Sequence, residues 1–149
     1  MTVEDMGPEQ ITLPPKPWDI RARGPYSIGY RADSITYDAA PEDQPRTLKV
    51  VVWYPSLQVN GNRIARYMNV VRRLGIWLDV PIVAEGKMPV LVFSHGNNSI
   101  GEQNYFMAEY FASHGWVVVA PNHTHNTVSD TPGASCIALI RPATGAVKA

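Results

Sequence analysis

Cysteine is nearly absent from this chain: Cys136 stands alone among 149 residues, so no internal disulfide can staple the fold and no CxxC metal or redox pair exists. Net charge is absent as well. Thirteen basic and thirteen acidic residues cancel, which leaves no field to gather nucleic acid or an anionic membrane, and the arginines at 63, 66, 72 and 73 are too few to alter that balance. No apolar run approaches the roughly eighteen residues that a spanning helix needs. The first twenty residues are acidic and proline-containing, without the apolar core of a signal peptide, and this predicts a cytoplasmic protein. Repeats and low-complexity segments are missing too.

What is present is organised around Met88 to His123. Val90 to Phe93 is a short apolar run between Pro89 and the polar Ser94-His95-Gly96, and it reads as a strand buried on both faces. Trp116 to Ala120 is a second such run, closed at Pro121. Between them Phe106, Met107, Tyr110 and Phe111 recur at helical spacing and mark the apolar face of a helix. Ser99 and Glu102 fit a capping box at its start, while His114 and Gly115 suit its end. The whole reads as a parallel β-α-β unit, whose loop from Ser94 to Ile100 leaves the carboxyl end of the first strand. Ligands of open α/β sheets bind there.

The rest of the chain is arranged ahead of and behind this unit. Residues 1–24, with Leu13-Pro14-Pro15-Lys16-Pro17, form an extended arm. Tyr30 to Asp38 alternates weakly, with Ile35 and Tyr37 on one side, and Thr47 to Tyr54 is β-branched and aromatic up to Pro55. A turn at Pro41 to Pro45 joins them as an antiparallel pair. Residues 56–87 open with a turn at Asn60-Gly61, then place Ile64, Met68, Val71, Leu74 and Leu78 at helical spacing. This predicts a helical insertion interrupted at Gly75, which could cover a cleft. Residues 127–149 read as an irregular tail with one apolar run, Cys136 to Ile140.

Several residues invite a chemical reading. Asn97-Asn98-Ser99-Ile100-Gly101 imitates G-x-S-x-G with asparagine first, and its serine reads better as a helix cap. Gly133-Ala134-Ser135-Cys136-Ile137 lacks the last glycine and a strand leading into it, so Ser135 reads as a loop serine. The spacing of Gly96 and Gly101 is that of a phosphate-binding loop, but Glu102-Gln103 stands where lysine and a hydroxyl should follow. His123, His125 and Asp130 lack a metal-ligand spacing, and no metal or other cofactor is expected.

Taken together, Gly24-Pro25-Tyr26, Val51-Val52-Trp53-Tyr54-Pro55, Val92-Phe93-Ser94-His95-Gly96 and Ala112 to His123 resemble the α/β-hydrolase superfamily. The closest likeness is to platelet-activating-factor acetylhydrolase and dienelactone-hydrolase-like esterases, over about residues 24–126. The resemblance implies a fold: the N-terminal half of an α/β-hydrolase sheet, an antiparallel pair followed by β-α-β, in a partial domain spanning 25–126. It also implies an ester-cleaving activity through an acyl-enzyme. By the same resemblance the backbone N–H of Asn97 is one oxyanion-hole donor, Gly96 lets the backbone approach the substrate carbonyl, and His95 supports the loop by hydrogen bonds.

The family's nucleophile motif G-x-S-x-G is not in the sequence. The chain is therefore expected to be the N-terminal fragment of a serine carboxylic-ester hydrolase. It would have no nucleophile of its own and would be inactive alone, while its substrate in the intact protein would be a small-molecule ester. The other reading is a non-catalytic remnant or binding module. A strand at Val90 to Phe93 without its nucleophile-strand neighbour would also leave an open sheet edge for self-association.

Overall fold

The computed structural model describes residues 21–38, 44–57, 63–83 and 86–130. The readings of the 1–20 arm, the Asn60-Gly61 turn, Ser135 and the run from Cys136 to Ile140 fall outside these residues, as does most of the turn at Pro41 to Pro45. The described chain forms six strands and one α-helix: β1 (Ser27–Tyr37), β2 (Arg46–Ser56), β3 (Ile64–Tyr67), β4 (Val71–Leu78), β5 (Val90–Val92), α1 (Tyr105–Ser113) and β6 (Val117–Asn122). The strands make one mixed sheet in the order β3-β4-β1-β2-β6-β5. β1 and β2 pair antiparallel from Ser27↔Ser56 to Tyr37↔Arg46. β5 and β6 pair in parallel with α1 between them, as the apolar runs predict. Because β4 is parallel to β1 and β2 is antiparallel to both β1 and β6, the strands β1, β4, β5 and β6 all run one way.

The expected helical insertion at 56–87 is instead the β3–β4 hairpin. Met68 and Asn69 both take positive φ, 52° and 61°, and the Val70 N–H closes the turn on the Tyr67 carbonyl at 3.0 Å. Two such residues in succession stop a helix and turn a hairpin. The apolar spacing mimicked a helix because β4 is itself irregular: Gly75 takes φ 78°, and the register shifts between Ile64 and Arg66. Tertiary contact decides the matter. Only the extended hairpin brings Tyr67 beside Trp53 and Tyr30, with ring centroids at 5.7 and 4.9 Å.

Those three aromatics, with Ile28, Ile76 and Val118, are the centre of the core. The Trp53 indole N–H donates to the Tyr67 hydroxyl at 2.8 Å, and that hydroxyl donates to Glu109 at 2.9 Å. Glu109 is a buried carboxylate on α1. Arg73 meets it with both Nε and Nη2, at 2.8 and 2.7 Å, and lies over the Tyr105 ring at 4.7 Å. Such a charge is tolerated inside only when paired and hydrogen-bonded in this way. The carboxylate in turn holds the Arg73 guanidinium well above its usual pKa.

α1 also corrects the sequence reading of its faces. Ala108, Ala112 and Ser113 are its buried residues together with Glu109, whereas Phe106 is 65% exposed. Small side chains let the helix approach closely, and the bulky ones lie at the flanks. Gly24 shows how close: a Cβ there would fall 2.0 Å from the Ser113 carbonyl oxygen, so only glycine fits. The Gly24 N–H donates to Ser113 Oγ and the Tyr26 N–H to Ser113 O, at 2.9 and 3.1 Å. The helix end is as expected. Gly115 takes φ 94°, its N–H reaches Ala112 O and the Trp116 N–H reaches Phe111 O, while the Phe111 and Trp116 rings meet at 5.4 Å. This is a complete Schellman motif with its apolar contact.

Two strand readings change. β5 is not buried on both faces: Val90 and Val92 are 60% and 67% exposed and only Leu91 turns to the core, because none of the described residues covers the face that carries the two valines on this edge strand. β6 does not stop at Pro121 but pairs it with Val50. β5 reaches only to Val119, so beyond that point β6 has an open side where a missing N–H is tolerated. Among the described residues no helix is long and apolar enough to cross a membrane.

Candidate functional site

Both parallel strands of the β-α-β unit end at the same edge of the sheet, so the loops that follow β5 and β6 lie face to face. Hydrogen bonds between backbone and side chain lace them together. The Phe93 N–H still bonds Val119 O at 2.9 Å, after which the first loop leaves the ladder. Beyond it the His123 N–H donates to His95 Nε2 at 3.0 Å, the Asn98 N–H to Asn126 Oδ1 at 2.9 Å, and the Gly101 N–H to Asn122 Oδ1 at 2.7 Å. The Val128 N–H reaches Ser99 O at 3.2 Å, and Ser99 and Thr127 form an isolated bridge.

His95 is buried at 5% exposure, and its two nitrogens have fixed roles. Nδ1 lies 2.8 Å from the Gly96 carbonyl, which can only accept, and Nε2 accepts from the His123 backbone. The ring therefore carries its proton on Nδ1 and spends its lone pair on a backbone N–H. That leaves it nothing with which to take a proton from a substrate.

The ring of His123 stacks near that of His95, with centroids 4.7 Å apart, and its Nε2 lies 2.8 Å from Ser94 Oγ. This Ser94–His123 pair is absent from the sequence reading. The signal available was positional: a serine two residues after β5 and a histidine one residue after β6 leave the same edge of the sheet if the strands are parallel neighbours. Asn122 and Asn126, which clamp the loops, likewise have no role in the sequence reading.

Asn97 lies exposed at the tip of the first loop, and its N–H meets no acceptor among the described residues. The neighbouring Gly96 N–H is taken by Gln103 Oε1 at 3.2 Å, and Asn98 turns the chain with φ 51°. A Cβ added at Gly96 would meet only Gln103 Oε1, at 3.8 Å, so packing does not require glycine there. The expected capping box does not form. A 3-10 turn, Gly101–Asn104, precedes α1 and neither has a side-chain cap. Asn122 supplies the acceptor for Gly101, and the Glu102 carboxylate turns inward to accept the Tyr30 hydroxyl at 3.0 Å. Burial first, and then this carboxylate, push the Tyr30 phenol well above its usual pKa.

Beside His123 a recess of about 200 Å³ is bounded by Lys49, Ile100, Asn122 and Asp130. The Asp130 carboxylate is engaged by the Thr127 N–H and hydroxyl, at 2.9 and 2.7 Å, and these bonds lower its pKa. No three metal-ligating side chains gather among the described residues.

Comparison with known proteins adds three findings. Residues 56–134, more than half of the chain, match the family model of platelet-activating factor acetylhydrolase, isoform II. The structure is similar to that of a ferulic acid esterase from Streptomyces cinnamoneus, with a TM-score of 0.60 and 20% identity, over 78% of this chain and 39% of that one. No match is found among curated proteins.

Proposed function

Because the chain belongs to the platelet-activating factor acetylhydrolase, isoform II family and has an α/β-hydrolase-like sheet over part of an esterase's length, we propose that it carries the oxyanion-donor half of a serine carboxylic-ester hydrolase. The observation behind this reading is the Asn97 N–H, without an acceptor among the described residues, on a loop that is otherwise tied down at Gly96, Asn98 and Gly101. Negative charge gathers on the carbonyl oxygen as an acyl-enzyme forms or breaks. A fixed N–H about 3 Å from that oxygen stabilises it by on the order of 3 kcal/mol, because the donor is already oriented when the charge appears. His95 acts as a strut here: it joins the Gly96 carbonyl to the His123 backbone and so holds the loop next to Asn97. The small-molecule ester would lie across Gly96 and Asn97.

In this reading the nucleophile is not one of the chain's own residues, since G-x-S-x-G is missing from the sequence. One observation favours a second reading, the 2.8 Å contact of Ser94 Oγ with His123 Nε2, which is the distance of a nucleophile to its base. Among the described residues no carboxylate is hydrogen-bonded to the His123 imidazole to orient it; Asp130, on the same loop, binds Thr127. A non-catalytic binding module would share the loop and show no turnover in any context. The assay is hydrolysis of p-nitrophenyl acetate and butyrate by the purified chain and by its Ser94→Ala, Ser99→Ala and Ser135→Ala variants. No turnover is expected. Turnover abolished by one substitution would make that serine the nucleophile and overturn the proposal.

A further inference from the structure

The β3–β4 hairpin and β1 line an open cleft of about 740 Å³, whose walls include Tyr30, Arg63, Arg66, Arg72, Asp79 and Glu102. Its arginines are not equivalent. Arg63 is paired with Asp79 at 3.1 Å, and the same carboxylate also takes Arg31 at 3.4 Å. Arg73, next along β4, is held by Glu109. Arg66 and Arg72 stand directly opposite each other in the hairpin register, both exposed, and neither has a carboxylate partner among the described residues. Like charges placed opposite each other across an antiparallel pair destabilise it. The hairpin gains nothing from this arrangement on its own account.

We propose that Arg66 and Arg72 are an anion-binding clamp at this cleft, and that its ligand is a phosphate monoester. One guanidinium meets a carboxylate edge to edge, with two parallel hydrogen bonds. Two opposed guanidiniums suit an oxyanion with three free acceptor oxygens and close to two negative charges, which is a phosphate monoester near neutral pH. The cleft also constrains the rest of the ligand. Glu102 repels a second anionic group, while its carboxylate and the Tyr30 hydroxyl favour a hydroxyl-bearing carbon chain. The site does not depend on the ester-cleaving reading, because it is defined by binding alone.

The test is to titrate the 149-residue protein with inorganic phosphate and with glycerol phosphate at constant ionic strength, with chloride as the control. Arginine side-chain NMR signals and the thermal midpoint report binding. Saturable shifts with both phosphates and none with chloride are expected, and glycerol phosphate should bind more tightly. Arg66→Gln and Arg72→Gln should each weaken binding about tenfold or more, with the ligand-free thermal midpoint unchanged or higher because the repulsion is relieved. Arg31→Gln should bind as the parent does. Equal effects of chloride and phosphate, or unchanged binding in both variants, would overturn the proposal. So would loss of folding in both, which would make the arginines structural. Equal affinity for the two phosphates would overturn the hydroxyl-bearing chain in the cleft.

Discussion

Removing one oxygen atom from the core, by Tyr67→Phe, tests the account of how the hairpin is held. Trp53 and Tyr67 are both 0% exposed, so water cannot replace what is lost. The indole N–H is left without its acceptor, at a cost of about 1–3 kcal/mol. Glu109 loses one donor but keeps both bonds from Arg73, which adds roughly 1 kcal/mol. The sum of about 2–4 kcal/mol corresponds to a fall in Tm of about 5–15 °C for a chain of this size. Circular dichroism with heating measures it. A fall of less than 2 °C would refute the network as a support of the hairpin.

The same substitution changes the response to alkali. Burial first, and then the Glu109 carboxylate, push the Tyr67 phenol far above its usual pKa, and Tyr30 is raised likewise by burial and Glu102. A phenol raised in the folded state contributes stability that is fully present below the unfolded pKa of about 10 and lost as pH climbs from there towards the folded pKa. Each of the two tyrosines then costs the fold up to about 1.4 kcal/mol per pH unit. Burial raises the Tyr54 phenol too, so the parent should lose stability between pH 10 and 11.5 more steeply than Tyr67→Phe, which still keeps Tyr30 and Tyr54. Equal slopes would mean that Tyr67 ionises without unfolding the chain.

Two further outcomes are expected. In an ester-cleaving protein that carries this segment, Asn97→Ala should leave the turnover number within a few-fold, since the backbone donor survives. Asn97→Pro, which removes the N–H, should lower turnover by about 10²–10³, and a large loss in the alanine variant with its circular dichroism intact would show that the side chain is the working group. At the edge of the sheet the open side of β5 and the exposed Val90 and Val92 form a template for strand pairing. The 149-residue chain should elute above its 16.5 kDa monomer mass in size-exclusion chromatography with light scattering. Val92→Lys should restore the monomer, whereas Leu91→Lys should fail because that side chain turns to the core; a monomeric parent would refute the edge as a contact.

Where signals were local, the sequence carried the structure. β1, β2, β6 and the helix after the Ser-His-Gly loop were legible because β-branched runs, prolines and the Gly115 stop act through backbone sterics within a few residues. The loop itself was legible for a similar reason, since polar residues that interrupt a strand must lie where the strand ends. That reasoning placed His95, Gly96 and Asn97 in one loop. It could not say which of their N–H groups would be satisfied.

Which side chains would meet across long stretches of chain escaped the sequence. Residues 64–78 carry a pattern that suits a helix, and they form a hairpin because Tyr67 and Arg73 find Trp53 and Glu109 only in extended form. Ser99 and Glu102 are spaced as a cap, but Asn122 takes the first N–H and Tyr30 takes the carboxylate, from positions 21 and 72 residues away along the chain. Of the apolar face of α1 expected inside, Phe111 packs against the core and Phe106 is exposed, while alanines take the closest positions because helix-to-sheet distance is a property of the pair. Ser94 and His123 were each visible as residues and invisible as a pair. By itself the sequence determined which segments could extend, turn or coil; the tertiary structure alone decided which polar groups would meet, because a buried hydrogen bond is settled by whichever partner the packing brings within 3 Å.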